Sequence, residues 1–251
     1  LGVALFERRG RGIVLSDAGR ELERRARQIV ALLDEARSAT VAAASPGARR
    51  LRLAAVTTAA EYLVPVLLRE ARARRPELEV ELEVANRDRV WERLAHFEAE
   101  LAVGGRPPGD GPFRSLATAP NVLVVAGPPG GVTPSEGLGR ATWLLREPGS
   151  GTRLATEEFF EALGISPPRL TIGSNGAIRE CVRIGLGLAL LSRDAVAREL
   201  EAGELALVPT ALTPLARAWH LVCNSERELG AAASAFVAEI LASGPFRTLT
   251  I

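Results

Sequence analysis

The chain has 251 residues, of which 47% are hydrophobic and 24% are charged, a composition typical of a globular protein with one large domain or two smaller ones. Its 31 basic residues, all arginine, nearly balance 30 acidic ones, and its apolar runs are too short for a membrane span, which needs roughly 18 residues. Two cysteines and the lack of a secretion signal exclude a disulfide scaffold and favour a reducing cytoplasm.

Charge is unevenly distributed along the chain. Residues 1–50 carry ten arginines and six acids, a net charge of +4, so the rest carries 21 basic and 24 acidic groups, a net charge of −3. A basic head on a slightly acidic body predicts contact with nucleic acid at one end only. The alternative is a solvated helix face, which would explain the same charges.

The first predicted element is a hairpin. The segment 6–15 reads as a strand, a basic turn containing glycine and a second strand. Such a turn can place Arg8, Arg9 and Arg11 against DNA phosphates, which supply affinity without sequence information. Ser16 follows as a candidate N-cap, so the sequence predicts a helix directly after the hairpin.

The predicted helix at 17–44 has a seven-residue apolar repeat. Its seam residues are Leu22, Ala26, Ile29, Leu33 and Ala36. A 3–4 alternation sustained over about three heptads is typical of a coiled coil and predicts a dimerisation seam. The alternative is an amphipathic helix packed on its own domain. Ser45-Pro46-Gly47 ends the helix and reads as a linker.

Beyond residue 48, strands and helices alternate, which favours an α/β fold. The run 51–56 is almost wholly apolar, as expected of a buried parallel strand. Further strands are predicted at 78–84, 100–103, 121–126, 143–146, 169–173, 187–191, 205–208 and 217–223. Helices are predicted at 60–74, 88–97, 152–163, 176–185, 193–202 and 229–242.

Three junctions, at which a strand leads into a helix, carry small and hydroxyl residues. They are residues 56–60, 146–153 and 173–176. Unpaired N–H groups at a helix N-terminus favour an anion, and open α/β sheets bind ligands at the carboxyl ends of their strands. The alternative is simple N-capping by Thr58, Ser150 or Asn175. Together, the junctions predict a shared pocket for an anionic or polar small molecule.

The motifs of common enzymes are missing. Gly149-Ser150-Gly151-Thr152 is neither a nucleophile elbow nor a phosphate-binding P-loop. Gly185-Leu186-Gly187 follows a predicted helix, whereas a dinucleotide fingerprint follows a strand. His96 and His220 are far apart in the sequence, so no metal site is expected. The sequence predicts a protein that is not an enzyme and has no cofactor.

Several segments resemble LysR-type transcriptional regulators. Residues 1–9 and 15–19 look like the wing and the start of the linker helix in that family, and 101–104, 185–191 and 219–222 resemble its body. The resemblance covers essentially the whole chain, with the motifs in the right order. Three further segments are similar to the branch that regulates carbon-fixation (RuBisCO) operons, namely residues 85–87, 105–108 and 145–153.

The resemblance implies a periplasmic-binding-protein-like body of two α/β lobes with a small-molecule cleft between them. The wing and linker helix of a winged helix-turn-helix would precede this body. By position, the parts would be a wing remnant at 1–16, a linker and dimerisation helix at 17–46, lobe I at 49–122 with 212–251, and lobe II at 123–211.

The resemblance also implies a set of effector-contacting residues. They are Thr57, Thr58, Arg106, Ser150, Gly151, Thr152, Arg153, Ser174 and Asn175. This set overlaps the three strand–helix junctions. Glu98 and Glu100 depart from the family pattern, which more usually has Gly and Asp before strand 101–103, and we expect this change to affect packing more than chemistry.

The partners implied are a small anionic metabolite, a second copy of the chain in a dimer or tetramer, promoter DNA, and RNA polymerase. The recognition helix of the family would precede residue 1, and the chain contains no methionine. We therefore expect an N-terminally truncated chain, and specific DNA binding in the full-length protein only. The alternatives are an extracytoplasmic solute-binding protein, which would need a secretion signal, and a dehydratase-like enzyme on the same lobes.

Overall fold

Residues 1–44, 49–130 and 137–248 are described by a computed structural model of the chain, so the predicted linker at 45–47 lies outside the described residues. The strands are β1 (Phe6–Arg9), β2 (Gly12–Leu15), β3 (Arg49–Val56), β4 (Leu78–Ala85), β5 (Leu101–Gly104), β6 (Phe113–Gly127), β7 (Trp143–Leu145), β8 (Arg169–Thr171), β9 (Ala189–Ser192), β10 (Ala206–Leu207), β11 (Leu215–Asn224) and β12 (Arg247–Thr248). The helices are α1 (Asp17–Ala44), α2 (Thr57–Tyr62), α3 (Val64–Arg74), α4 (Arg87–Ala95), α5 (Gly151–Leu163), α6 (Asn175–Arg183), α7 (Arg193–Glu201) and α8 (Ala231–Ser243). Within these residues, no helix is long and apolar enough to cross a membrane.

Strands β1 and β2 form the predicted hairpin, with Phe6 opposite Leu15. Gly10 turns the chain with a φ of 63°, a left-handed conformation that glycine adopts without the steric cost of a Cβ atom. Helix α1 begins directly after the hairpin, where the backbone N–H of Gly19 donates to Ser16 Oγ at 3.0 Å. Ser16 is therefore the N-cap, and both predicted elements are confirmed.

Helix α1 contacts the body of the protein through charged side chains. Arg27 pairs with Glu98 at 2.8 Å, and Arg24 pairs with Glu226 at 2.8 Å. All five predicted seam residues are exposed: Leu22, Ala26, Ile29, Leu33 and Ala36. One face of the helix thus packs on its own body while the predicted seam stays open, so the two sequence interpretations apply to different faces. Dimerisation through the seam stays a prediction.

An eight-stranded mixed sheet organises the body. The strand order is β10-β6-β11-β5-β3-β4, and β9 and β12 pair with β6 outside this path. Strand β3 pairs with β4 and β5 in parallel, whereas β11 pairs with β5 and β6 antiparallel. Strands β6 and β11 run side by side from the pair Phe113–Asn224 to the pair Leu123–Leu215. These two strands connect two regions with separate hydrophobic cores.

Lobe I is the region around β3, β4 and β5. Leu53 of β3 faces helices α3 and α8, where it shares a buried cluster with Leu67 and Phe236. The next residue, Ala54, faces the opposite side of the sheet and packs with Trp91 of α4. Because successive strand residues point to opposite faces, a nearly continuous apolar run fits a strand that helices cover on both sides.

Lobe II is the region around β7, β8, β9 and the second half of β6. Val125 of β6 faces helix α5 and shares a cluster with Phe160, whereas Val124 faces α6 and α7 and packs with Ile178. The ring of Trp143 meets Phe160 edge to face, with the centroids 4.9 Å apart. Each lobe is therefore a sheet between helices, and the predicted α/β fold is confirmed.

The single helix predicted at 60–74 is wrong, because two helices occupy this segment. Helix α2 ends at Tyr62, and α3 begins at Val64, one residue before Pro65. Proline has no backbone N–H to donate to the carbonyl group of Glu61 and disfavours helical geometry in the residue before it. The break between α2 and α3 therefore follows from Pro65. The spacing of the apolar residues continues across the break and gives no sign of it.

The strand predicted at 121–126 is too short, because β6 covers Phe113–Gly127. Pro120 lies inside it, opposite Ala218 of β11. A proline cannot donate to a ladder hydrogen bond and argues against a strand, which explains the underestimate. The bounds of the other predicted elements agree with the structure to within two residues.

The two glutamates before β5, Glu98 and Glu100, hold neighbouring elements together. Glu98 pairs with Arg93 of α4 at 2.8 Å in addition to its contact with Arg27 of α1. Glu100 accepts a hydrogen bond from the backbone N–H of Arg52 in β3 at 3.1 Å. Both carboxylates therefore contribute to packing between elements.

Candidate ligand-binding cavity

A cavity of about 640 Å³ lies between the two lobes. Its wall includes the end of β3 and the loop after β5 from lobe I, the first two turns of α5 from lobe II, and the stretch 216–220 of β11. This volume is within the range of small-molecule pockets, roughly 300–1,000 Å³. The position also agrees with the tendency of α/β sheets to bind ligands at the carboxyl ends of their strands.

The structure brings most of the predicted effector residues to this cavity. Those in its wall are Thr57, Thr58, Arg106, Ser150, Gly151 and Thr152. The other three predicted residues lie just outside the wall. Arg153 pairs with Glu157 at 2.8 Å, Ser174 caps helix α6, and Asn175 is buried. The structure thus joins segments that are distant in the sequence, while the role of each residue stays a prediction.

Helix α5 begins in the cavity wall. Its N-cap residue, Ser150, makes no side-chain capping hydrogen bond, so its hydroxyl group does not occupy the first free N–H groups of the helix. N-capping therefore does not explain why a hydroxyl residue stands at position 150. At the third junction the capping residue is Ser174, which accepts from the backbone N–H of Ala177 at 3.4 Å, and Asn175 has a different role. The N-terminus of α5 can present N–H donors and its dipole to an anion.

Positive charge dominates the cavity wall. The wall contains four arginines and one carboxylate: Arg87, Arg106, Arg146, Arg217 and Glu158. Three of the arginines have a carboxylate partner. Arg146 pairs with Glu147 at 2.7 Å, Arg87 pairs with Asp88 at 3.2 Å, and Arg217 pairs with Glu158. For Arg106 the described residues provide no such pair, so its charge is available to an anionic ligand.

A buried polar network crosses from one lobe to the other behind the cavity. Asn175 of α6 donates from Nδ2 to Thr58 Oγ1 at 3.0 Å and accepts at Oδ1 from Arg146 Nη1 at 2.6 Å. Glu147 accepts two more hydrogen bonds from the same guanidinium group, at 2.7 and 2.9 Å. A buried charge is tolerated where its hydrogen bonds are satisfied. The network therefore links a residue of lobe I, Thr58, to a positive charge in lobe II.

His220 of β11 also lies in the cavity wall. Its Nδ1 is 3.0 Å from Ser115 Oγ. Burial lowers the pKa of His220 below its usual value, and the positive charge of Arg106 lowers that pKa further. Ser115 is not part of the wall, so this serine–histidine pair does not present a nucleophile to the cavity.

Among the charged and titratable residues of the wall, sequence reasoning missed four, although two signals were available. Glu158 follows Gly151, Leu154 and Ala155 at the spacing i, i+3, i+4 and i+7, which places all four on one helix face. Arg87 begins α4 directly after its N-cap residue Asn86 and two residues after the end of β4, so it lies at a strand–helix junction like the predicted residues. Arg217 and His220 had no local signal, because they reach the cavity only through the pairing of β11 with distant strands.

Comparison with known proteins identifies related regulators. A family model described as the LysR substrate binding domain matches residues 44–245. The HTH-type transcriptional regulator CbbR of Rhodospirillum rubrum is 34% identical over 254 residues, covering 96% of this chain and 82% of the relative. The RuBisCO operon transcriptional regulator of Allochromatium vinosum is 32% identical over 243 residues, covering 94% and 80%. The predicted likeness to the carbon-fixation branch is thereby confirmed.

A solved structure agrees with the fold. The regulatory domain of Synechocystis PCC6803 CcmR in complex with 2-PG is similar with a TM-score of 0.69 and 29% sequence identity. The alignment covers 77% of this chain and 96% of that domain.

Proposed function

Because the chain belongs to the LysR family of transcriptional regulators, we propose that it responds to a small anionic metabolite held in the cavity between its lobes. The observation that carries this proposal is the excess of arginine in the cavity wall, together with the N-terminus of α5. An anion placed there gains charge-assisted hydrogen bonds on both sides. The family membership favours regulation over the transport alternative.

The proposed effector is a phosphorylated metabolite. Support comes from the CcmR regulatory domain, which is described in complex with 2-PG, and from the cavity volume of about 640 Å³. Relatives named as regulators of RuBisCO operons support carbon-fixation genes as the target. On this proposal 2-PG, phosphoglycerate, phosphoenolpyruvate, ribulose bisphosphate and NADPH form the first set of compounds to test.

We assign the predicted residues to this binding event as follows. Thr57, Thr58 and Arg106 contact the effector from lobe I. Ser150, Gly151 and Thr152 contact it from lobe II through hydroxyl and backbone N–H groups. Asn175 acts through its hydrogen bond to Thr58, while Arg153 and Ser174 hold the surrounding loops and helix ends. The proposed lobe limits are 49–122 with 212–251 for lobe I and 123–211 for lobe II.

The effector signal would reach DNA through α1. Effector binding closes or rotates the lobes, and α1, paired with lobe I through Glu98 and Glu226, changes its angle in the dimer. Such coupling requires different effector affinities in the two states, typically worth about 1–3 kcal/mol. In a protein that carries the DNA-binding head of the family, Arg8, Arg9 and Arg11 of the exposed hairpin would contact phosphates.

The proposal extends to the location and the partners of the protein. The protein acts in the cytoplasm as a dimer or tetramer on promoter DNA, with RNA polymerase as a further partner, and it catalyses no reaction. Ser150 and Thr152 in the cavity make no hydrogen bond to a histidine among the described residues, so the wall lacks an activated hydroxyl nucleophile.

A thermal-shift screen against these five compounds tests the proposal. A ligand at 100 times its dissociation constant adds about 2.7 kcal/mol to stability, which raises the midpoint by roughly 5–10 °C for a chain of this size. Thr152→Ala should greatly reduce the shift, whereas Thr248→Ala, on an exposed edge strand, should leave it unchanged. If none of the five compounds shifts the midpoint, the assignment of a phosphorylated metabolite as effector is wrong.

A further inference from the structure

Arg106 and His220 form a pair of groups in one part of the cavity wall. Arg106 is the wall arginine for which the described residues offer no carboxylate partner. Gly104, two residues before Arg106, lies directly opposite His220 in the sheet, so the two residues sit at the same place in the wall. Burial lowers the pKa of the His220 ring, and the charge of Arg106 lowers it further. An anion that reaches Arg106 therefore also comes close to His220.

The backbone and Ser115 fix the position of the His220 ring. His220 lies in β11 between β5 and β6, opposite Gly104 on one side and Thr118 on the other. The Ser115 hydroxyl group engages Nδ1 at 3.0 Å. A hydroxyl group can donate to a neutral Nδ1 or accept from a protonated one, so Ser115 holds the ring in both charge states. No hydrogen bond among the described residues occupies Nε2.

Building on the proposed function, we propose that His220 is a specificity-determining residue that takes up a proton when an oxyanion binds Arg106. Both ring nitrogens then carry hydrogen, so that Nδ1 donates to the Ser115 hydroxyl group while Nε2 donates to the bound anion and the ring adds a positive charge. The proton comes from solvent: one N–H bond forms on the ring as one O–H bond of a hydronium ion breaks, and the ligand keeps all of its bonds. The filled site then has two positive charges, one on each residue, and this pair selects a dianion such as a phosphate monoester over a monoanion.

The other charged groups of the wall are paired with each other or with neighbouring carboxylates, so they do not take the place of Arg106 beside His220. Arg217, on the same strand, pairs with Glu158 of α5; Arg146, after β7, pairs with Glu147; and Arg87 of α4 pairs with Asp88. From β6, the group that meets the ring is the uncharged hydroxyl of Ser115. The charge that His220 experiences in the empty cavity is therefore that of Arg106.

The direction of the pH dependence follows from these charges. In the empty cavity the pKa of His220 lies below its usual 6.5, so the ring is mostly neutral near pH 7. A bound dianion reverses the sign of the local charge and raises the pKa of the ring. The contribution of His220 to binding is full below the pKa of the empty state and is lost as the pH rises through the pKa of the bound state. Within that interval, affinity should fall by up to about tenfold per pH unit.

NMR titration of the histidine rings tests the proposal directly, since the chain has two histidines. His96, which is not part of the cavity wall, is the internal control, and His220→Gln assigns the second signal. We expect saturating 2-PG to raise the pKa of His220, with at least tenfold stronger binding to the protonated form.

Calorimetry between pH 5.5 and 8.5 is the second test. The affinity for 2-PG should fall more steeply with pH for the unchanged chain than for His220→Gln. Because the phosphate of the ligand titrates in the same way with both chains, the difference between the two curves reports His220 alone.

Each outcome decides between the two proposals. If calorimetry shows that 2-PG binds in the cavity while the pKa of His220 does not change, the proton-uptake proposal is wrong and the proposed function stands. If 2-PG does not bind at any pH, the proposed effector class fails and this inference fails with it. Ser115→Ala provides a second variant in case His220→Gln does not fold, and it should weaken the pH dependence without removing binding.

Discussion

Arg146 is a buried arginine, with only 4% of the residue exposed. Glu147 and Asn175 satisfy its guanidinium group by accepting three hydrogen bonds from it, at 2.6 to 2.9 Å. Removing one partner from such a network leaves the others unsatisfied, which costs more than the net value of the hydrogen bonds. Arg146 is therefore a structural residue of the cavity as well as a part of its wall.

Arg146→Met should lower the free energy of unfolding by about 2–4 kcal/mol, because it leaves Glu147 and the Asn175 carbonyl oxygen without their donor. Urea denaturation measures the loss. Arg140→Met removes the same charge at an exposed position, and we expect it to change stability by no more than about 0.5 kcal/mol. Equal effects of the two substitutions would refute the buried network.

Thr58 and Asn175 should be energetically coupled across the two lobes. Their hydrogen bond of 3.0 Å is buried, so the double variant Thr58→Val with Asn175→Ala should destabilise less than the sum of the single variants. We expect a coupling energy of about 0.5–1.5 kcal/mol, measured in a double-mutant cycle by denaturation. Additive single effects would mean that the lobes are not linked here in solution.

The sequence predicts which segments carry the site better than it predicts their contacts. Ser150, Gly151 and Thr152 could be located because a strand followed by small residues and a helix is a local pattern. The bond between Thr58 and Asn175 joins residues 117 positions apart, and no local pattern encodes which distant side chain fills a given space. Capping and periodicity are local effects, whereas partner choice depends on the packed sheet.

At the scale of elements, α1 has two faces with different chemistry. Toward the body it makes ion pairs that are about one-third exposed, and such pairs contribute no more than about 1 kcal/mol each and weaken with salt. On its open face, Ile29 is 59% exposed and Leu33 is 66% exposed. A row of exposed aliphatic side chains at heptad spacing is the sequence feature of a coiled-coil partner surface.

Ile29→Asp combined with Leu33→Asp should weaken self-association at least tenfold, because a dimer seam would bury both carboxylates without partners. Sedimentation velocity over a dilution series measures the effect. Arg37→Asp changes an exposed position of the same helix outside the seam and serves as the control. If the double variant associates as strongly as the unchanged chain, the seam prediction is wrong.

Glu98→Gln combined with Glu226→Gln should loosen α1 from the body. Both substitutions remove charged partners of Arg27 and Arg24, so amide exchange in the first half of α1 should accelerate while exchange in β3 and β5 stays slow. Hydrogen–deuterium exchange with mass spectrometry measures this. The control is Glu81→Gln, which removes the exposed ion pair of Arg50 and should leave α1 unchanged. Unchanged exchange in the double variant would rule out these pairs as the connection.

At the scale of the whole molecule, β6 and β11 connect the lobes. They pair over ten positions of β11, and the cavity lies beside the part of β11 between Ala216 and His220. Among the described residues the cores of the two lobes are separate clusters, so the lobe closure that we propose would change the cavity while each core stays intact. On the proposed function, the effector lies between the two lobes, and α1 transmits the change in their relative angle.

The central claim is that an anion binds in this cavity through Arg106, and calorimetric titration of 2-PG tests it most directly. We predict one binding site per chain and a loss of affinity of roughly ten- to a hundredfold in Arg106→Gln, as expected for a lost charge-assisted hydrogen bond. Arg140→Gln, which removes an exposed arginine, should bind as the unchanged chain does. Equal affinities for the two variants, or no binding heat with the unchanged chain, would contradict the account.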